Sequence, residues 1–146
     1  MLKWTVRTAA AVLACIVLAH MAQAGQVETV TLWSKDGEMH IKAAQADLKA
    51  GEVTFKVTNR PDSSMQHEMI VVRLTPEQAH HLVSLPYDDR AGRVDENKID
   101  SLGEVPELEP GKSGSLTVTL APGAYMLFCN IAGHYRAGMF TVIHVR

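Results

Sequence analysis

The sequence predicts an all-β domain, a sandwich or barrel of short strands, and three observations support this prediction. Short segments rich in Val, Thr and aromatic residues recur after residue 25, with Gly, Pro and Asn between them. Residues 54–58 and 116–120 alternate at period two, as strands do when one face meets the core and the other meets water. Only one segment of this part of the chain carries helix signals.

Six segments of the chain have the composition of strands. They are Val27 to Trp33, Val53 to Asn59, Glu68 to Arg73, Ser115 to Leu120, Ala124 to Cys129 and Phe140 to Val145. Pro110-Gly111 and Pro122-Gly123 predict turns on either side of the fourth segment, because Pro fixes one turn residue and Gly accepts a positive φ.

One helix is predicted, from Thr75 to about Leu85. Thr75 is a suitable N-cap, Pro76 fits the first helical position, and Gln78 completes a capping box. Residues 88–109 then hold eight acidic and three basic residues with few strand formers. We therefore expect one short helix and a long acidic, solvated loop, both inserted after residue 73.

Composition limits the class of protein. The 146 residues are 47% hydrophobic and 21% charged, which is typical of a single globular domain. The formal net charge of -2 gives no electrostatic basis for a nucleic-acid partner. The two cysteines, Cys15 and Cys129, exclude a disulfide-rich scaffold and any four-cysteine zinc or iron–sulfur site.

The N-terminus has the pattern of a secretory signal peptide. Lys3 and Arg7 precede a small or apolar run over residues 9–19, and Ala22-Gln23-Ala24 is a small-x-small cleavage pattern. Residues 1–24 are therefore predicted to be a signal peptide of a periplasmic protein. The run is shorter than the roughly 20 apolar residues of a membrane span, so no membrane span is expected.

Cleavage would leave a mature domain of residues 25–146. A lipidation site at Cys15 is the alternative, but cleavage there would cut the apolar run in half. The mature domain would contain one cysteine, Cys129, in a compartment where disulfides are normal. An intermolecular disulfide, an inert buried side chain and a metal ligand are three explanations for it.

The segment with the most chemical information is a Cys-x4-His-x4-Met pattern formed by Cys129, His134 and Met139 between the last two strands. Thiolate and thioether sulfur suit Cu(I), imidazole suits both copper states, and a weak axial Met completes a trigonal site. A second histidine from a distant strand is needed. His67 opens such a strand after the turn at residues 59–62.

These residues resemble the ligand set of the cupredoxin, or type 1 blue copper, family over essentially the whole mature chain. The gaps of four residues are similar to those of longer-loop members such as rusticyanin and sulfocyanin. Residues 133–139 look like those of bacterial periplasmic cupredoxin-like copper-binding proteins. The resemblance implies a Greek-key β-sandwich, the cupredoxin-like barrel, and one copper ion, Cu(II)/Cu(I), held by His67, Cys129, His134 and Met139.

Two positions depart from the family pattern. Many members have Asn after the first histidine, where its side chain ties the two ligand loops, and Ser or Thr after the cysteine. This chain has Glu68 and Asn130 at those positions, so the rigidity of the site is an open question. A binuclear copper centre is excluded, because the loop contains no second cysteine.

The resemblance implies a single-electron carrier that docks redox protein partners, a cytochrome or an oxidase, at the edge of His134. Storage or delivery of copper to a copper acceptor is the alternative, with Met39, His40 and Met65 as accessory ligands. No enzyme activity is expected, because Met139 as axial ligand leaves no open copper position for substrate. We expect a monomer.

Overall fold

The strand-forming segments of the sequence build two packed sheets in the computed structural model of the protein, which describes residues 25–81 and 84–146. The predicted signal peptide, residues 1–24, lies outside the described residues. In chain order the elements are β1 (Gln26–Lys35), β2 (Glu38–Ala43), β3 (Asp47–Leu48), β4 (Gly51–Asn59), β5 (His67–Arg73), α1 (Pro76–His81), β6 (Tyr87–Asp88), β7 (Arg93–Val94), a 3₁₀ helix (Glu96–Lys98), β8 (Ser101–Leu108), β9 (Ser113–Leu120), β10 (Gly123–Phe128) and β11 (Phe140–Val145).

One sheet has four strands in the order β2-β1-β4-β9. β1 runs parallel to β4, and both outer strands run antiparallel to their neighbours. The other sheet has five strands in the order β3-β11-β10-β5-β8, and β6 pairs with β7 in a separate two-stranded ribbon. All six predicted strands are present, and the all-β sandwich is confirmed.

Two apolar clusters hold these layers together. The main cluster fills the space between the two sheets and contains residues from both, among them Phe55, Val57, Leu127 and Ile143. A second cluster lies on the other face of the five-stranded sheet and includes Ile70, Leu85, Phe128 and Tyr135. Side chains of the five-stranded sheet are therefore buried on both of its faces.

The predicted helix is confirmed but is shorter than expected. The capping box forms, since the Gln78 amide donates to Thr75 Oγ1 over 3.2 Å and the Thr75 amide donates to Gln78 Oε1 over 2.9 Å. α1 ends at His81, and Leu85 lies outside it, buried in the second cluster. Leu85 is thus a core residue of the following segment rather than the end of the helix.

The prediction of a long acidic loop at residues 88–109 is wrong. This stretch contains β7, the 3₁₀ helix and the eight-residue β8, which pairs with β5 at the edge of the sheet. Register shifts interrupt that pairing, and the buried residues Val105 and Leu108 are spaced by three positions, which hides the period-two pattern. Acidic residues and Pro106 are tolerated because β8 is an edge strand.

Among the described residues, none of the helices is long and apolar enough to cross a membrane.

Candidate metal centre

His67 is placed by the turn that precedes β5. Asn59, the last residue of β4, uses its side-chain amide to donate to the carbonyls of Met65 and Leu108 over 2.9 and 2.8 Å. The Ser63 hydroxyl donates to the same Met65 carbonyl over 3.1 Å. These bonds fix the chain just before His67, whose side chain is fully buried.

Cys129 and His134 lie on the ligand loop, residues 129–139, which joins β10 to β11. The amide of Cys129 donates to the Met139 carbonyl over 3.1 Å, and the amide of Met139 donates to the His134 carbonyl over 3.1 Å. Gly133 and Gly138 have φ of 87° and 90°, which allows the loop to turn tightly around His134. The loop thus closes on itself through backbone bonds among its predicted ligand residues.

The fold brings three of the predicted ligands together. Nδ1 of His134 lies 3.3 Å from Nδ1 of His67 and 3.3 Å from Sγ of Cys129. One potential ligand atom from each of the three residues lies within 4.8 Å of the other two, and all three residues are buried. One metal ion can therefore be reached by both imidazoles and the sulfur.

Met139 is placed beside this group by its backbone bonds to Cys129 and His134. Its side chain is fully buried and belongs to the same apolar cluster as Cys129. The fourth predicted ligand thus lies on the ligand loop and packs into the interior with the cysteine. Its assignment as axial ligand remains a prediction.

Burial sets the protonation states of the three donors. It lowers the pKa of His67 to about 4, with a smaller contribution from His134. It also lowers the pKa of His134, and Arg93 adds to that shift. Burial raises the pKa of the Cys129 thiol to about 11. At neutral pH both imidazoles are neutral and offer lone pairs, whereas the thiol must lose a proton to bind a metal.

The two positions that depart from the family pattern bond to each other. The backbone amide of Asn130 donates to Oε1 of Glu68 over 3.0 Å, and the amide of Glu68 points to Sγ of Cys129 at 3.5 Å. Glu68 is almost fully buried, and burial raises its pKa. A carboxyl group therefore joins the His67 strand to the ligand loop, where the resemblance led us to expect an asparagine.

The sequence singled out Glu68 as a departure from the family pattern but did not indicate which group it would bond to. A buried carboxyl group needs hydrogen-bond donors, and the amide of Asn130 supplies one. Asn130 was noted as a departure as well, but its structural role was not predicted. It is 1% exposed, and its side chain bonds to Val94 and Glu96 rather than to solvent.

The two histidines differ in depth. His67 has no exposed surface, whereas His134 is 5% exposed on a loop whose other residues include the exposed Ala132 and Ala137. Met65 is 38% exposed. A small part of His134 thus reaches the surface of the ligand loop.

Two of the accessory residues of the copper-delivery hypothesis, Met39 and His40, point in different directions. Met39 packs against the main apolar cluster, while His40 stacks on Trp33 with ring centroids 4.7 Å apart. Successive residues of a strand point to opposite faces, so Met39 and His40, both on β2, cannot hold the same ion.

The donor set of the centre fits copper. Two neutral imidazoles and one sulfur, all withdrawn from water, are the ligands that accept copper in both of its common oxidation states. The three residues come from two separate parts of the chain, which the sandwich holds in contact.

Comparison with solved structures finds the same fold in blue copper proteins. Auracyanin A, a "blue" copper protein from the green thermophilic photosynthetic bacterium Chloroflexus aurantiacus, shares 25% identity with a TM-score of 0.56, over 82% of this chain and 99% of its own. Rusticyanin from Thiobacillus ferrooxidans shares 21% identity with a TM-score of 0.54, over 84% and 79%. A multicopper oxidase of Aquifex aeolicus is 16% identical with a TM-score of 0.53, over 86% of this chain and 30% of its own.

The family comparison covers nearly the whole described domain. No curated protein sequence matches the chain. The model of the plastocyanin/azurin family of copper-binding proteins matches residues 28–146, a range that includes His67, Cys129 and His134. With these three donors gathered around one potential copper position inside a cupredoxin sandwich, the chain belongs to the plastocyanin/azurin family of copper-binding proteins.

Proposed function

We propose that the protein is exported to the periplasm, where it carries single electrons by means of one type 1 copper ion. The ligands would be His67, Cys129, His134 and Met139. The observation that carries this proposal is the convergence of an imidazole from β5 with a thiol and an imidazole from the ligand loop, all within 4.8 Å and buried.

Copper would supply the one-electron chemistry by alternating between Cu(II) and Cu(I). The chain supplies donors that are already close together and a site that is closed to bulk water. Cys129 would bind as thiolate, with its proton released on metal binding. Met139, from the interior side of the loop, would tune the reduction potential as a weak axial donor.

Partners would dock where His134 approaches the surface. Ile131, Ala132 and Ala137, on the same loop, would surround this position with apolar groups, and the exposed Met65 would contribute a thioether. Such a patch favours the small, short-lived interface of a redox encounter. The expected partners are a cytochrome or an oxidase, and the protein would act as a monomer.

Copper storage or delivery is the less favoured function. A delivery protein must release its metal, and accessory ligands near the site would assist that release. Met39 and His40 lie on opposite faces of β2, so they do not form such a pair. An oxidase activity is also not favoured, since the oxidase match covers 30% of that enzyme.

The first experiment compares the spectrum of the copper-loaded protein with that of Cys129→Ser. The wild type should show an intense visible thiolate-to-copper band that bleaches and returns on fast, reversible reduction. Cys129→Ser should lose the band completely while its far-UV circular dichroism stays the same, because the sandwich buries its own core. A colourless wild type that yields Cu(I) to a chelator would support delivery instead.

The second experiment tests Met139 with a matched methionine. Met139→Leu should raise the reduction potential, because it removes an axial donor and keeps the volume similar. Met126→Leu makes the same change at a buried methionine of the second cluster and should leave the potential unchanged. Equal potentials in Met139→Leu and the wild type would remove Met139 from the ligand set.

A further inference from the structure

The segment between α1 and β8 is in contact with the ligand loop along much of its length. Residues 84–96, called here the bracing segment, include the β6–β7 ribbon. Gly133 donates from its amide to the Gly92 carbonyl over 2.8 Å. The amide of Leu85 donates to the Tyr135 hydroxyl over 3.0 Å. The bracing segment thus bonds to the residues on both sides of His134.

A third contact lies further along the loop. The Arg136 guanidinium stacks on the ring of Tyr87 with Cζ 4.2 Å from the ring centroid, and it forms an ion pair with Asp89 at 2.7 Å. The ring of Tyr87 also stacks on that of Tyr135 with centroids 6.1 Å apart. These contacts hold the outer side of the ligand loop against the ribbon.

The buried side chain of Asn130 also bonds to the bracing segment. Its Oδ1 accepts from the amide of Val94 over 2.7 Å, and its Nδ2 donates to the Val94 carbonyl over 3.0 Å and to Oε1 of Glu96 over 2.8 Å. Both amide hydrogens are therefore used. Asparagine matches this site, because aspartate would place an acceptor against a carbonyl and a carboxylate.

Asn130 also holds the cysteine that precedes it. Its backbone amide is bonded to Glu68, while the amide of Cys129 is bonded to Met139. The Cys129 backbone is therefore flanked by hydrogen bonds on both sides, and the Asn130 side chain ties that point to the bracing segment. A shift of Val94 or Glu96 would be transmitted directly to Cys129.

Building on the proposed function, we propose that Asn130 is a positioning residue through which the bracing segment fixes Cys129 relative to the two histidines. The ligand atoms are then held close together before any metal binds. Hydrogen-bonding partners behind metal ligands affect affinity in this way in other metal sites. The bracing segment thus contributes to the geometry of the metal centre.

The test uses the copper-loaded, full-length mature protein and four variants: Asn130→Ala, Asn130→Asp, Glu96→Ala and, as control, Asn97→Ala. Within the described part of the chain, the Asn97 side chain bonds only to the neighbouring Asp95, so the control removes an asparagine amide without touching the ligand loop. Three quantities are measured. They are the visible and electron paramagnetic resonance spectra, the rate of copper loss to a chelator, and amide hydrogen exchange of residues 129–139 in the metal-free protein.

Asn130→Ala and Asn130→Asp should release copper about tenfold faster than wild type, within the range seen when partners of metal ligands are removed. Both should show a shifted thiolate-to-copper band, and exchange in the ligand loop should quicken. Glu96→Ala removes one exposed partner and should show a smaller change in the same direction. Asn97→Ala should match the wild type.

A folded Asn130→Ala with wild-type spectrum, release rate and exchange would overturn the proposal. If the Asn130 variants do not fold, Glu96→Ala becomes the decisive variant. A wild-type rate of copper release and wild-type amide hydrogen exchange in Glu96→Ala would also overturn the proposal. Exchange in the metal-free protein separates this proposal from the proposed function. A protein without a blue band would refute the electron carrier, while the exchange data would still test the role of Asn130.

Discussion

The two sheets of the sandwich differ in how their outer faces are covered. The outer face of the four-stranded sheet is a polar surface, on which the hydroxyls of Thr54 and Thr117 bond across two strands at 2.8 Å. The five-stranded sheet is covered on its outer face by the second apolar cluster, and the residues of β5 from His67 to Val72 are all buried. His67 is the first residue of β5 in this sheet, and Cys129 directly follows β10 of the same sheet.

This difference indicates that the four-stranded sheet serves as scaffold, whereas the five-stranded sheet carries the candidate metal site. A sheet with one solvent-exposed face is stabilised by the core between the two sheets. A buried metal site gains in addition from exclusion of water and from loops that are held on their outer side. The second cluster holds the outer side of the ligand loop, because Tyr135 belongs to it and directly follows His134. The main cluster encloses the side chains of Cys129 and Met139.

The largest expected effect is a loss of unfolding free energy, tested by replacing one phenylalanine from each cluster. Phe55 in the main cluster and Phe128 in the second are both fully buried, and replacement of either by Ala should cost about 3 to 5 kcal/mol of unfolding free energy. Only Phe128→Ala should shift the visible band as well, because Phe128 packs against Tyr135 with ring centroids 5.6 Å apart. Denaturant unfolding and absorption spectra measure the two effects. Equal spectral shifts in both variants would remove the distinction between scaffold and site.

The next effect is the pH dependence of the metal-free protein. Burial in the five-stranded sheet lowers the pKa of His67 to about 4 in the folded state, from an ordinary value of 6.5. The unfolded chain therefore binds this proton more tightly, and the contribution of His67 to stability is present above pH 6.5 and is lost as the pH falls towards 4.

Between pH 7 and pH 5 this loss should amount to about 2 kcal/mol of unfolding free energy. Urea unfolding of the metal-free wild type and of His67→Gln at both pH values isolates the contribution. The wild type should lose more stability than the variant by that amount. Parallel pH profiles for the two proteins would show that His67 is not buried as described.

A smaller loss of stability is expected when one of two tyrosine hydroxyls is removed. In Tyr135→Phe the buried amide of Leu85 would lose its acceptor, at a cost of about 1 to 2 kcal/mol. In Tyr125→Phe the carbonyl of Ala121 would lose a donor over 2.8 Å, but Ala121 is exposed and water can replace it. Thermal unfolding of the metal-free proteins should therefore rank Tyr135→Phe as the less stable variant. The reverse order would argue against the role of Tyr135 in fixing the bracing segment.

The sequence was sufficient for the strands with regular alternation and for His67, Cys129 and His134, the three residues that the fold brings together. Thr54 to Thr58 and Leu116 to Leu120 belong to strands whose period is undisturbed, so their faces could be assigned directly. The spacing of Cys129, His134 and Met139 predicted a metal-binding loop, because few functions require these three residue types together, and the role of Met139 as a ligand stays a prediction.

The sequence did not predict strands whose pairing is irregular, nor contacts between residues that are far apart in the chain. β8 was missed because register shifts break its alternation and acidic residues lie along its open edge. The two-residue strands β6 and β7 have no periodicity at all, and only the folded chain shows that Val94 meets Asn130. Glu68 raised a question about rigidity that the sequence could not answer, since its partner lies 62 positions away.

The depth of the Cys129 sulfur has a consequence for the protein before it receives metal. Alkylating agents and oxidants attack the thiolate form at an accessible surface, and this thiol is fully buried with its pKa raised to about 11. Its protonated state and its enclosure both slow such attack, and two folded copies cannot bring these sulfurs into contact. A freshly folded molecule should therefore persist as a reduced, undamaged acceptor in oxidising surroundings until metal arrives.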